Sequence, residues 1–197
     1  LAASYFTHPS IVGVVGSDFP DSVVTLFKDH QINLEGMAVE EGKTFRWGGR
    51  YAENFDDRTT LFTELNVFET FNPVLPSAYK NAAYVLLANI HPGLQHNVLD
   101  QLNTDSFVVL DTMNLWIDTA LDDLLTLIKR VNMLVINDEE ALMLTNERNY
   151  KKAASKLHAM GPEWVVIKKG QHGALLFHEG QVFSVPGLVL DEVKDPT

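Results

Sequence analysis

From Ala83 onward the chain alternates short apolar runs with stretches of helical period, and this alternation restricts the fold more than any other feature. The apolar runs are Tyr84 to Ile90, Phe107 to Leu110, Met133 to Ile136 and Trp164 to Ile167. Between them lie Gly93 to Leu102, Leu115 to Arg130 and Tyr150 to Met160, where apolar residues recur at helical spacing. Strand and helix in alternation imply crossover connections and a parallel sheet. Gly161-Pro162 gives the last helix a stop signal. Ala174 to Phe177 and Gln181 to Val185 then read as a hairpin turning at Glu179-Gly180. The expected class is α/β.

The first part of the chain has a different character. Ile11 to Val15 is a strand running into Gly16-Ser17-Asp18, and Pro20-Asp21 opens a helix carrying Val23, Val24 and Phe27. A strand near Leu34 to Val39 follows. Thr44 to Tyr51 and Thr59 to Phe68, rich in Thr, Phe, Trp and Val, read as extended antiparallel strands separated by polar Glu53 to Arg58. The expected organisation is one doubly wound domain over residues 1–197 with a small β insertion at about 43–70. The chain opens without Met on the apolar Leu1 to Phe6, so a preceding segment is expected.

Charge and composition narrow the function. Fifteen Lys and Arg stand against 26 Asp and Glu, a formal charge of -11, which repels a phosphate backbone or an anionic membrane as a whole. No nucleic-acid or membrane partner is expected, whereas a local pocket can still take a small phosphorylated ligand. With no cysteine the chain has no disulfide, thiolate zinc site or thiol nucleophile, which suits the cytosol. No apolar run approaches the roughly 20 residues a membrane helix needs. Histidines form no H-E-x-x-H pattern, and neither a G-x-G-x-x-G nor a G-x-x-x-x-G-K-[ST] loop occurs, so any nucleotide is held in another way.

In parallel α/β sheets, ligands collect where strands end at their carboxyl edge. The loops there are Gly16-Ser17-Asp18, Asp111-Thr112-Met113-Asn114, Asn137-Asp138-Glu139-Glu140 and Lys169-Gly170-Gln171-His172-Gly173. Each reads two ways. Asn137 to Glu140 is a helix cap with acids in the first turn, or an amide and a carboxylate one helical turn apart that organise a hydrated Mg²⁺ beside polyphosphate. Asp111 and Asn114 cap a loop or face a ligand. Gly170 and Gly173 serve a turn, and Lys168 is a solvated charge, unless a ligand sits there. His91, at a strand end, is a surface histidine or a ligand contact. Phe45 and Trp47 are packing residues or substrate stackers.

Taken in order, V-V-G-S-D-F at Val14 to Phe19, Phe45-Arg46-Trp47, L-L-A-N-I-H-P at Leu86 to Pro92, V-L-D-T-M-N at Val109 to Asn114, N-D-E-E-A at Asn137 to Ala141 and V-V-I-K-K-G-Q-H-G-A at Val165 to Ala174 resemble the ribokinase-like (PfkB) carbohydrate kinase family. The resemblance implies a three-layer α/β/α sandwich with a β lid over the acceptor, the lid being Phe45 to Tyr51 and Thr59 to Val67. It implies an ATP-dependent, Mg²⁺-dependent transfer of phosphate to a hydroxyl of a sugar or nucleoside. Asn137, Glu140, Lys168 and Gly170 would then meet the nucleotide, with Glu140 organising Mg²⁺, and Asp111 and Asn114 would lie near the phosphates or acceptor. Lids pair in many members, so a homodimer through the lid is the expected assembly.

Two family features are absent from the sequence: an acceptor-binding Gly-Gly segment before the helix matching Leu1 to Phe6, and the G-A-G-D motif that supplies the general base. That base is expected after Thr197, so a truncated, inactive piece of a kinase is the expectation for the chain as written. Asp195 and Thr197 match the family's monovalent-cation neighbourhood only loosely. The alternative is a non-catalytic ligand-binding or regulatory relative of the same fold.

Overall fold

The apolar run at Ile11 to Val15 forms β1 (Ser10–Gly16), which pairs in parallel with β2 (Asn33–Glu40) in a computed structural model that describes residues 1–51 and 58–191. Between them runs α1 (Asp21–Asp29), with Pro20 at its N-cap and Asp21 in its first turn. β3 (Arg46–Tyr51) and β4 (Arg58–Glu64) form a separate antiparallel ribbon. These elements belong to a first compact unit, Leu1–Tyr79, and those from Lys80 onward form a second. Residues 53–57, expected as the polar turn of the insertion, and Asp195 and Thr197 lie outside the described residues.

The second extended segment ends earlier than its composition suggests. Pairing stops at Glu64, and Asn66 to Thr70 form a 3₁₀ turn. Asn66 adopts a left-handed φ of 52°, and its side-chain Nδ2 donates to the Thr44 carbonyl at 2.9 Å. The chain thereby turns and buries Val67 instead of continuing the ribbon.

The second unit is built on a six-stranded sheet in the order β10-β9-β8-β7-β6-β5. Strands β5 (Tyr84–Leu87), β6 (Phe107–Asp111), β7 (Met133–Asn137) and β8 (Trp164–Lys168) are parallel, as their alternation with helices requires. β9 (Ala174–His178) and β10 (Gln181–Val185) are the expected hairpin, with φ positive at both Glu179 and Gly180, the combination that a tight two-residue turn demands.

The connecting helices are α2 (Pro92–Leu99), α3 (Asn114–Thr119), α4 (Leu121–Ile128), α5 (Asp138–Thr145) and α6 (Tyr150–Met160). Leu115 to Arg130 is thus two helices, because Ala120 leaves the helical region at φ -144°, ψ 39° and Asp122 and Asp123 open a new first turn. Alternate strand residues, Val108 and Leu110, Leu134 and Ile136, Val165 and Ile167, join Leu124, Leu127, Ile128, Ala153 and Leu157 in one core. Leu124 and Leu127 are fully buried, and truncating either to Ala would cost about 2–5 kcal/mol. This core fixes where the strands stop, and therefore where their last side chains sit.

Candidate active site

Three consecutive strands, β6, β7 and β8, end in Asp111, Asn137 and Lys168. Register aligns the last two directly, Asn137 opposite Lys168, and sets Asp111 opposite Val135. The Lys168 ammonium reaches across the end of β7 to the Asp111 carboxylate, Nζ to Oδ1 3.0 Å. Both side chains remain partly exposed, so the pair is open to an incoming charged ligand.

Asn137 caps α5. Its Oδ1 accepts from the Glu140 amide at 2.7 Å, and the Glu140 carboxylate accepts from the Asn137 amide (2.8 Å, Oε2) and from Asn137 Nδ2 (2.9 Å, Oε1). This is a capping box with an added side-chain bond, and it satisfies donors that a helix start otherwise leaves bare. Glu140 is only 5% exposed. Burial pushes its carboxyl above the ordinary glutamate value, the Asn137 amide and the Lys168 ammonium oppose this, and Asp111 and Glu139 reinforce it. Capping thus fixes the Glu140 carboxylate, which stands in the field of Lys168 and Asp111.

The turn after β8 is built on glycine. Gly170 has φ +53° with open space where a side chain would stand. Gly173 has φ +86°, and a Cβ there would run into the Val185 carbonyl and stand 2.7 Å from the Gly187 nitrogen. The turn's own bonds use the amides of Lys169, His172 and Gly173. Lys169 Nζ lies 5.9 Å from the centre of the Tyr150 ring.

Asn114 opens α3, and its Oδ1 accepts from the neighbouring Leu115 amide at 3.0 Å, a local turn contact. Among the described residues no hydrogen bond or ion pair joins it to the Asp111–Lys168 pair. His91 caps α2 through Nδ1, which accepts from the Gly93 amide at 3.0 Å, and stands edge-on to Trp116. Trp116 in turn donates to Asn89 at 2.8 Å. Phe45 packs edge-on against Phe68 of the 3₁₀ turn, and Trp47 donates to Thr60 across the ribbon at 3.3 Å. In the first unit, Asp18 Oδ1 accepts from both the amide and the hydroxyl of Thr44 at 2.7 Å, which holds the entry to β3.

Sequence reasoning did not single out Gln95 or Thr112, both buried polar residues. Gln95 was findable from phase, since Pro92, Gln95 and Leu99 share the buried face of α2. Among the described residues no three His, Asp or Glu side chains gather as a ready-made metal cage.

The profile of the pfkB family of carbohydrate kinases matches residues 2–197. The chain belongs to that family. A cytidine kinase of Thermococcus kodakarensis is 28% identical to this pfkB-family chain over 193 residues, 95% of the chain and 68% of its own length. The nucleoside kinase of Methanocaldococcus jannaschii, an archaeal member of the ribokinase family, superposes with a TM-score of 0.75 at 17% identity, covering 98% of this chain and 63% of that one. An Escherichia coli protein assigned as a ribokinase II, solved with ATP and Mg²⁺, gives 0.78 at 15% identity, over 97% and 66%. The pfkB-family chain thus spans about two thirds of the length of these relatives, and the likeness to the solved structures establishes the ribokinase-like α/β fold. Among the described residues no helix is long and apolar enough to cross a membrane.

Proposed function

We propose that this chain carries the nucleotide-binding part of a cytoplasmic ATP-dependent kinase that phosphorylates a hydroxyl of a nucleoside or a related sugar. The observation that carries this reading is the row of strand ends Asp111, Asn137 and Lys168, with Glu140 fixed behind it. The residues present fit a magnesium nucleotide. Mg²⁺ keeps several waters and borrows phosphate oxygens, so it needs one or two carboxylates rather than a closed cage. When bound, Mg²⁺ with the triphosphate supplies the charge neutralisation that phosphoryl transfer depends on.

The chain's own residues do the positioning. Lys168 offers a point charge to phosphate, and Asp111 holds that ammonium over the end of β7 until an anion competes for it. Asn137 clamps the Glu140 carboxylate through both oxygens, which leaves a second lone pair on each to orient metal-bound water. The amides of Gly170 and Gln171, which the turn's own bonds do not use, suit an anionic oxygen, and the bare Cα of Gly170 permits close approach. Asn114, close in sequence to Asp111, would lie toward the acceptor. The β3–β4 ribbon, with Leu61 and Phe62 exposed, suits a lid over that acceptor and a contact between two copies.

A nucleoside acceptor is favoured over a simple sugar by the likeness to a cytidine kinase at 28% identity and to a nucleoside kinase in fold. The test is transfer of radiolabelled γ-phosphate by the chain extended to the length of its relatives, with cytidine, other nucleosides and pentoses as acceptors. Label on a nucleoside supports the reading. Saturable Mg-ATP binding without transfer to any acceptor supports a regulatory relative, and neither binding nor transfer rejects both.

A further inference from the structure

The sheet ladder between β5 and β6 stops at Leu87 opposite Leu110, although β6 continues to Asp111, which pairs only with β7. Beyond this point β5 and β6 no longer pair. Gln95 fills the gap from behind. It stands on α2, is 1% exposed, and directs Nε2 to the Leu87 carbonyl at 3.4 Å, the Ala88 carbonyl at 3.0 Å and the Asp111 carbonyl at 3.3 Å. Two N–H bonds are shared among three acceptors, so the amide binds both strand ends at once.

A carboxamide buried on an apolar helix face is costly unless it is hydrogen-bonded. Here the cost is not fully recovered, since Gln95 Oε1 has no partner among the described residues. A leucine would fill the same helical position without that penalty. What leucine cannot do is hold the Asp111 carbonyl, and the Asp111 side chain is the one that grips Lys168.

We infer that Gln95 is a positioning residue of the site: by clamping the ends of β5 and β6 it sets the Asp111 backbone, and through it the placement of the Lys168 ammonium. This rests on the proposed nucleotide site only for its functional consequence. The geometric part stands alone and can be read without nucleotide.

The experiment compares wild type, Gln95→Leu, Gln95→Glu and Asp111→Asn by the rate at which an N-hydroxysuccinimide acetate reagent acetylates Lys168, followed by peptide mass spectrometry. Thermal melts confirm that each variant is folded. Asp111→Asn calibrates full release of the ammonium. Gln95→Leu should raise Lys168 acetylation about threefold to tenfold, the equilibrium equivalent of one lost hydrogen bond, and weaken Mg-ATP binding by a similar factor. Gln95→Glu keeps the volume, which covers the case where the leucine variant fails to fold. A carboxyl there offers at most one donor to the three carbonyls, so Lys168 acetylation should exceed the wild-type rate in the mildly alkaline range in which the reagent acts. Lys168 acetylation at the wild-type rate in the folded Gln95 variants, with Asp111→Asn accelerated, overturns the inference. Absence of Mg-ATP binding by wild type would overturn the proposed function while leaving the acetylation result to decide the role of Gln95.

Discussion

Lys168 and Asp111 close a 3.0 Å ion pair across the carboxyl end of β7, joining two strands that are not neighbours in the sheet. Such a pair, with both members partly in water, adds little to stability, about 0–1 kcal/mol. In the proposed function its use would lie in holding a cation where an anion can take it over. Lys168→Met should therefore leave the melting temperature almost unchanged. It should also weaken Mg-ATP binding by about 10- to 100-fold, the equivalent of one charge-assisted hydrogen bond. Calorimetric titration beside a thermal melt separates the two, and unchanged affinity would remove Lys168 from the site.

Glu140 allows a sharper separation of capping from function. Glu140→Ala removes the capping-box acceptor and should cost about 1 kcal/mol. Glu140→Gln keeps an acceptor for the Asn137 amide, loses one bond to Nδ2 and discharges a buried group, so its stability should stay near wild type while turnover of the extended enzyme falls. The pH dependence has a definite sign. The folded carboxyl titrates above its ordinary value of 4.5 because it is buried, so its contribution is fully present below that pH and is lost as pH rises through the folded value. Wild type should lose stability relative to Glu140→Gln as the solution passes from acid toward neutral. A difference that grows in favour of wild type over that interval would show that hydrogen bonding outweighs burial.

Much of this site was legible in the sequence because its residues sit at boundaries that local chemistry marks. Asn137 with Glu140 three residues on is a capping signature, and Gly170 and Gly173 flank a turn between apolar runs. The alternation from Tyr84 onward exposed the parallel strands for the same reason. What stayed hidden depends on tertiary contact. Nothing local pairs Lys168 with Asp111, 57 residues away, and the early end of β5 at Leu87 follows from where its pairing with β6 stops rather than from its own apolar residues. The break at Ala120 carries no Pro or Gly, and Asn66 ends its strand through a bond to Thr44 that sequence spacing does not announce.

The two turn glycines should respond differently to alanine. At Gly170 the added methyl meets nothing within 4 Å, so only the left-handed φ is charged, about 1–2 kcal/mol. At Gly173 φ +86° with ψ -143° is a region that only glycine adopts readily, and this penalty is joined by collision with the Val185 carbonyl and the Pro186-Gly187 backbone, which cannot swing aside as a side chain would. Gly173→Ala should therefore lower the melting temperature well beyond Gly170→Ala. If the space around Gly170 serves nucleotide, Gly170→Ala should instead show its larger effect in Mg-ATP affinity. Equal melting shifts would indicate that the 185–187 segment does not lie against the turn.

The last expectation concerns the entry to the β3–β4 ribbon. Thr44 donates to Asp18 from both its amide and its hydroxyl, and the hydroxyl accepts in turn from the Gly16 amide at 3.0 Å, so one side chain ties the end of β1 to the start of β3. These bonds favour the charged carboxylate and hold Asp18 below its ordinary value of 3.8, with the Thr44 hydroxyl the largest cause and its amide the next. A depressed carboxyl contributes stability that is present above the unfolded value and disappears as pH falls through the folded one. Thr44→Val removes the hydroxyl but keeps the amide and nearly the same shape. The Asp18 carboxyl carbon, followed by NMR, should then titrate at higher pH than in wild type while remaining below 3.8. The stability difference between the two proteins should shrink on acidification, because protonated Asp18 has less to lose. An Asp18 titration unmoved by the substitution would mean that the Thr44 hydroxyl does not hold the carboxylate in solution, and the tie between β1 and β3 would rest on the backbone alone.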